Sequence, residues 1–220
     1  AEAELAFRAA LREAEQFGPN DTRVALVLNN LASLTHNQRK LSEAEELYLR
    51  ALTIRREAYG PQHPFVAQSL NNLASLYREL GKYQEAEDFL QHALGIAEGL
   101  VGPHHWGITN CLNNLAAVYT AQARYAEAEA LFQRSLTIRQ RFFGSKDTAV
   151  ATTLCGLAEL ALAQGQHTEA ESFFTQALAI REELLGAEHP GVAVLLEKYV
   201  ILLRATAREI EAAEVGARVQ

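Results

Sequence analysis

The chain has 220 residues, 49% hydrophobic and 21% charged, with 20 basic residues against 27 acidic for a net charge of −7. That acidic balance, without a basic block to neutralise phosphates, argues against nucleic acid as a partner. No run approaches the roughly 18 apolar residues of a membrane span, so no membrane partner is expected either.

Taken in chain order, residues 1–17 predict a helix, since AEAELAFRAALREAEQFG echoes EAEELYLRALTIRREAYG at 43–60. Helices follow at 21–37 and 41–58, then 63–79 and 83–100, 105–121 and 125–142, and 147–163 and 167–184. A last first-of-pair helix falls at 189–205, and residues 208–220 follow the pattern poorly, as a capping segment would. The first helix of each pair carries apolar residues at helical spacing, Leu28, Leu31, Ala32 and Thr35, repeated as Leu70, Leu73, Ala74 and Tyr77. Gly81 and Gly165 suit a left-handed residue in the tight turn within a pair. Asp21, His63, His105, Asp147 and His189 stand as N-caps at the end of the longer loop.

These elements repeat every 42 residues. Gly18, Gly60, Gly102, Gly144 and Gly186 mark the period, as do Ala44, Ala86, Ala128, Ala170 and Ala212. One helix pair cannot bury its own apolar face, so stability must come from stacking. The expected organisation is a single domain over 1–220: a half repeat at 1–17, full repeats at 21–60, 63–102, 105–144 and 147–186, and a terminal repeat or cap at 189–220.

The small and large positions of this unit, Leu73, Ala74 and Tyr77, then Ala86, Leu90 and Ala93, are similar to those of the tetratricopeptide repeat. The 42-residue length, the LNNLA segments and ALAIRE at Ala177 to Glu182 closely resemble the repeats of kinesin light chains and their bacterial relatives. The Arg-rich, Lys-poor composition points to a bacterial relative. The resemblance implies an all-α, right-handed solenoid that binds a protein or peptide segment on its concave wall and carries no catalytic residues of its own.

Two adjacent asparagines recur inside helices at Asn29-Asn30, Asn71-Asn72 and Asn113-Asn114, although Asn is a poor helix former. On a helical wheel they leave the core face with Leu26, Ser33 and His36; the equivalents are Gln68, Ser75 and Arg78, then Asn110, Ala117 and Thr120. The candidate peptide-binding set is therefore Asn29, Asn30, Ser33, His36, Gln68, Asn71, Asn72, Ser75, Arg78, Asn110, Asn113, Asn114 and Thr120. A carboxamide both donates and accepts, so such a row suits the backbone of an extended peptide whatever its side chains. The same asparagines could instead bond one another and hold the stack, and both readings stand. The row ends at Cys155-Gly156 and Glu197-Lys198, which places most of the binding on the first three units.

Other chemistry finds no support. The histidines form no same-face pair with a third ligand, so no metal and no cofactor is expected. The EAE glutamates sit in first turns, where they favour the helix dipole. Cys111 and Cys155 read as small buried residues, with a disulfide or reactive thiol as the alternative; cysteine usage leans towards a reducing, cytoplasmic compartment. Trp106 reads as a loop aromatic packed on the preceding helix, or else as an exposed anchor. The chain lacks methionine, so residue 1 reads as a processed or truncated end. Rival roles are a sensor or oligomerisation arm of a multidomain signalling protein, and self-association through exposed repeat ends.

Overall fold

The computed structural model describes residues 2–218. Among them the regular structure is entirely α-helical apart from one 3-10 turn: α1 Glu2–Glu15, α2 Thr22–Asn37, α3 Leu41–Tyr59, α4 Pro64–Glu79, α5 Tyr83–Val101, α6 Thr109–Ala121, α7 Tyr125–Phe143, α8 Thr148–Ala163, α9 His167–Leu185, α10 Pro190–Ala205 and α11 Glu209–Ala217. The fold class is all-α, a solenoid of helix hairpins. The chain forms two compact units, one ending at Pro103 and the other beginning at His104. Within each, every helix packs on the one before it and the one after.

Local chemistry explains where the helices start. All five predicted caps accept a bond from the backbone N–H two residues on: Asp21 from Arg23, His63 from Phe65, His105 from Gly107, Asp147 from Ala149 and His189 from Gly191. In the three histidines the acceptor is Nδ1, which sets the tautomer with its proton on Nε2. The helix expected over 105–121 departs from the pattern. Trp106-Gly107 stand where Pro64-Phe65 open α4, and a 3-10 turn at Trp106–Ile108 precedes the α-helix. The Thr109 hydroxyl donates to the Trp106 carbonyl at 2.8 Å and steadies that turn.

Within each hairpin the turn closes in a Schellman arrangement. The N–H of Lys40, Lys82, Arg124, Gln166 and Arg208 donates five residues back, at 2.9 to 3.0 Å. The residue before each is left-handed: Arg39 (φ 64°), Gly81 (73°), Ala123 (59°), Gly165 (74°) and Ala207 (57°). Only two of these five are glycine, so the glycine signal in the sequence understated how regular the turn is.

The small residue of the period sits where paired helices approach. Ala44, Ala86, Ala128 and Ala170 are 0% exposed. In the first unit Val24, Ala25, Leu28, Ala51 and Ile54 form the core with Ala14 of α1. In the second, Val150, Leu154, Phe174, Leu195 and Leu196 do the same. Cys111 and Cys155 lie buried in the second unit as free thiols, each pushed up to about 11 by burial, which leaves them poor nucleophiles.

Candidate functional site

The asparagine positions divide by burial. Asn29 on α2 is buried, and its Oδ1 accepts from Asn72 Nδ2 of α4 at 3.0 Å. Asn113 on α6 is also buried; its Nδ2 donates to Thr153 Oγ1 of α8 at 3.1 Å. Each of these amides joins one first-of-pair helix to the next within its own unit. Asn113 Oδ1, however, is buried without a hydrogen-bond partner among the described residues.

The remaining predicted residues flank them. On α2, Asn30 and Ser33 are exposed, and His36 is half-buried with Nε2 3.2 Å from Glu79 Oε1, out of line for a hydrogen bond. Arg39 pairs with the same carboxylate. On α4, Gln68 is exposed and Asn71, Asn72, Ser75 and Arg78 are half-buried. On α6, Asn110 is exposed, Asn114 and Thr120 are half-buried, and the Thr120 hydroxyl donates to the carbonyl of Ala116. The first unit therefore brings together its nine predicted residues from α2 and α4, and the second presents Asn110, Asn113, Asn114 and Thr120 along α6.

The end of the amide row has a steric cause. A Cβ on Gly156 would fall 2.3 Å from Phe132 Cε1, so the ring excludes any larger residue where the earlier units carry Asn30, Asn72 and Asn114. In the last unit Lys198 pairs with Glu159, and Cys155 Sγ lies 3.9 Å from that carboxylate, so an ion pair links the helices that amides link earlier.

A second set of residues escaped the sequence reading. Arg55, Arg139 and Arg181 lie one or two periods apart, and each reaches from the end of a second-of-pair helix to the carbonyl in the first turn of the next helix: Phe65 at 3.0 Å, Ala149, and Gly191 at 2.6 Å. Each guanidinium also holds a side chain at one equivalent position, Gln68, Asn110 or Thr152. Arg55 and Arg139 are 3% exposed, and burial lowers the pKa of both, Arg139 to about 10. Their anchoring fixes the amides of Gln68 and Asn110 by their oxygens and leaves the NH2 groups as donors. The 42-residue spacing of the arginines was the available signal; what they reach was not.

Trp106 is 48% exposed, and its ring lies 5.8 Å from Phe143, on α7 which follows it, and 5.3 Å from His105. Among the described residues no group of three or more metal-ligating side chains converges, and no helix is long and apolar enough to cross a membrane.

The family model of the tetratricopeptide repeat matches residues 21–99, 108–183 and 150–219. Among solved structures, BtubC (BKLC) from P. vanneervenii is similar over 98% of this chain and 85% of its own, with a TM-score of 0.72 and 22% identity. A putative kinesin light chain of nearly identical TPR-like repeats from Podosopora anserina covers 91% of this chain and 94% of its own, with a TM-score of 0.64 and 25% identity. A Rap protein complexed with Competence and Sporulation Factor matches 98% of this chain and 62% of its own, with a TM-score of 0.74 and 15% identity. No curated protein matches the chain.

Proposed function

Since the chain belongs to the tetratricopeptide repeat family, we propose that it is a non-enzymatic binding scaffold whose first-of-pair helices receive an extended segment of a partner protein. The observation that carries this reading is Asn113 Oδ1, a buried acceptor that nothing in the described chain satisfies. Such an atom costs about 1–3 kcal/mol while unpaired, and because it is closed to solvent a bound backbone N–H would recover that cost only once the side chain turns outward. Beside it on α6 the amide of Asn110 is exposed, and the first unit, taken by itself, exposes those of Asn30 and Gln68. Neutral amides favour recognition of the main chain over a charged motif. A structural neighbour, the Rap protein, is complexed with Competence and Sporulation Factor, which is in keeping with a binding role.

The test is a random-peptide display selection on the wild-type chain beside an Asn113→Ala, Thr153→Val variant. Removing both partners of the buried bond leaves no polar group stranded there, so the melting temperature should change little. Peptides enriched by the wild type should bind the variant roughly tenfold more weakly. Equal binding by a folded variant would assign Asn113 to the scaffold alone.

A further inference from the structure

A second candidate site lies away from the asparagine face, at the tight turns of the second unit. An open cleft lies there between α7, α8 and α9. Leu157, Leu160, Ala161 and Phe173 give it apolar walls, and Glu129, Gln133, Gln164, Gln166 and Glu169 line it with polar groups.

The repeat itself states what is missing from the cleft. One period further on, Arg208 fills the equivalent place. Its Nη1 donates to both oxygens of Glu171 at 2.7 and 2.8 Å, and its Nε and Nη2 hold Glu211 at 2.8 and 2.5 Å. The Tyr199 hydroxyl completes the arrangement by donating to Glu171 at 2.9 Å. Subtracting 42 from Arg208, Glu171 and Glu211 gives Gln166, Glu129 and Glu169, all three on the wall of the cleft. Both carboxylates are kept, and the cation between them is replaced by a neutral amide.

The first unit shows the same design in another form. Glu45, two periods before Glu129, accepts from the Tyr77 hydroxyl at 2.5 Å and lies 3.7 Å from Lys82 Nζ, which sits over the Tyr77 ring. Two periods after Tyr77 stands Ala161, and two after Lys82 stands Gln166. A phenol and a cation that occupy this place elsewhere are thus both absent from α8 and its turn. The space and the two unpaired carboxylates are what their removal leaves. Among the described residues neither the Glu129 nor the Glu169 carboxylate takes part in a hydrogen bond or ion pair, and both side chains are exposed.

We propose that this cleft binds a guanidinium supplied from outside, an arginine side chain carried by a partner segment. The methylene stem lies along Leu157, Ala161 and Phe173, as the stems of long cationic side chains do on apolar surface. The planar head bridges Glu129 and Glu169 as Arg208 bridges Glu171 and Glu211, and the amide oxygens of Gln133 and Gln164 accept its remaining N–H groups. Arginine is favoured over lysine because two carboxylates from different helices match a forked donor better than a point charge.

The experiment titrates the wild-type chain with acetyl-Gly-Arg-Gly-amide, with the same peptide carrying neutral citrulline, and with agmatine, followed by calorimetry and ligand-observed NMR. The arginine peptide should bind at least roughly tenfold more tightly than the citrulline peptide. Tighter binding of the peptide than of agmatine marks a protein-borne arginine; the reverse marks a free guanidine as the ligand of the same site. Gln166→Arg, which restores the residue type of position 208, should abolish binding without lowering the melting temperature. Glu129→Gln should weaken it about tenfold. Absence of saturable binding by either guanidinium probe, equal affinity for the citrulline peptide, or unchanged affinity in Gln166→Arg and Glu129→Gln would each overturn the proposal.

Discussion

Asn72 Nδ2 donates to Asn29 Oδ1 across 3.0 Å, and this bond joins α4 to α2. Two residues from consecutive repeats, each a poor helix former, are thereby placed so that one amide satisfies the other. The asparagine pair thus has a scaffold role here, while Asn113 Oδ1 is the member whose bonding capacity is left open.

Asn72→Ala should strand the buried Asn29 oxygen and cost about 1–3 kcal/mol in urea-unfolding stability. The Asn29→Ala, Asn72→Ala double variant should lose less than the sum of the single losses, since the second change removes the stranded group. Additive losses would mean that the pair is not coupled.

Gly156→Ala should be destabilising although alanine is the better helix former. The new methyl would meet the ring of Phe132, which is 2% exposed and has little room to turn away. Overpacking of this kind costs about 1–3 kcal/mol. Phe132→Leu, the residue type found one period earlier at Leu90, should restore most of the loss in the double variant. A neutral Gly156→Ala in thermal and urea melts would contradict the contact.

Ala123 occupies the left-handed turn position that Gly81 and Gly165 fill in neighbouring hairpins. A Cβ there carries a steric penalty of about 1–2 kcal/mol, partly offset by the greater chain entropy glycine brings to the unfolded state. Ala123→Gly should therefore raise stability by about 0.5–1 kcal/mol. Gly81→Ala should move the melting temperature the other way, and the two shifts read against each other test the assignment.

Acid should weaken the fold through a small set of carboxylates. The Lys40 ammonium, with the Arg8 guanidinium, holds Glu4 down to about 2 from 4.5, and Arg23 holds Asp21 down to about 2 from 3.8. Arg208 likewise lowers Glu171. A carboxylate whose pKa is depressed by folding contributes stability above its unfolded value and loses it as pH falls through the folded one. Melting temperature should thus hold between pH 7 and 5 and fall from about pH 4.5 towards pH 2. These groups are only half-buried and their cationic partners reach solvent, so added salt should shrink the effect. Asp21→Asn, which keeps the cap acceptor without the charge, should remove part of the slope; a slope unchanged by both salt and this variant would place the acid sensitivity elsewhere.

The helices were legible because their determinants are local. Caps such as Asp147 and His189 bond their own chain two residues on, and apolar spacing along a helix depends only on its pitch. Even so, α6 starts at Thr109, after a 3-10 turn over Trp106–Ile108; Trp106 stands there where Pro64 and Pro190, with φ preset for a helix, open α4 and α10. The candidate face was legible only as a list. Asn29 and Asn30 look alike in sequence, yet one is buried and bonded and the other is exposed, since a single step of about 100° carries the second past the neighbouring helix.

By itself, then, the sequence determined the 42-residue period, the helical hairpins and their caps, all of which follow from backbone hydrogen bonding and apolar patterning within a few residues. Only the tertiary structure decided which polar side chains meet. That Arg139 clasps the first turn of α8, or that Glu129 and Gln166 line one cleft where Arg208 bonds Glu171, depends on how one helix stacks on the next. Stacking is set by side-chain packing between residues some 40 positions apart, and a hydrogen bond across it forms or fails over differences of less than an ångström.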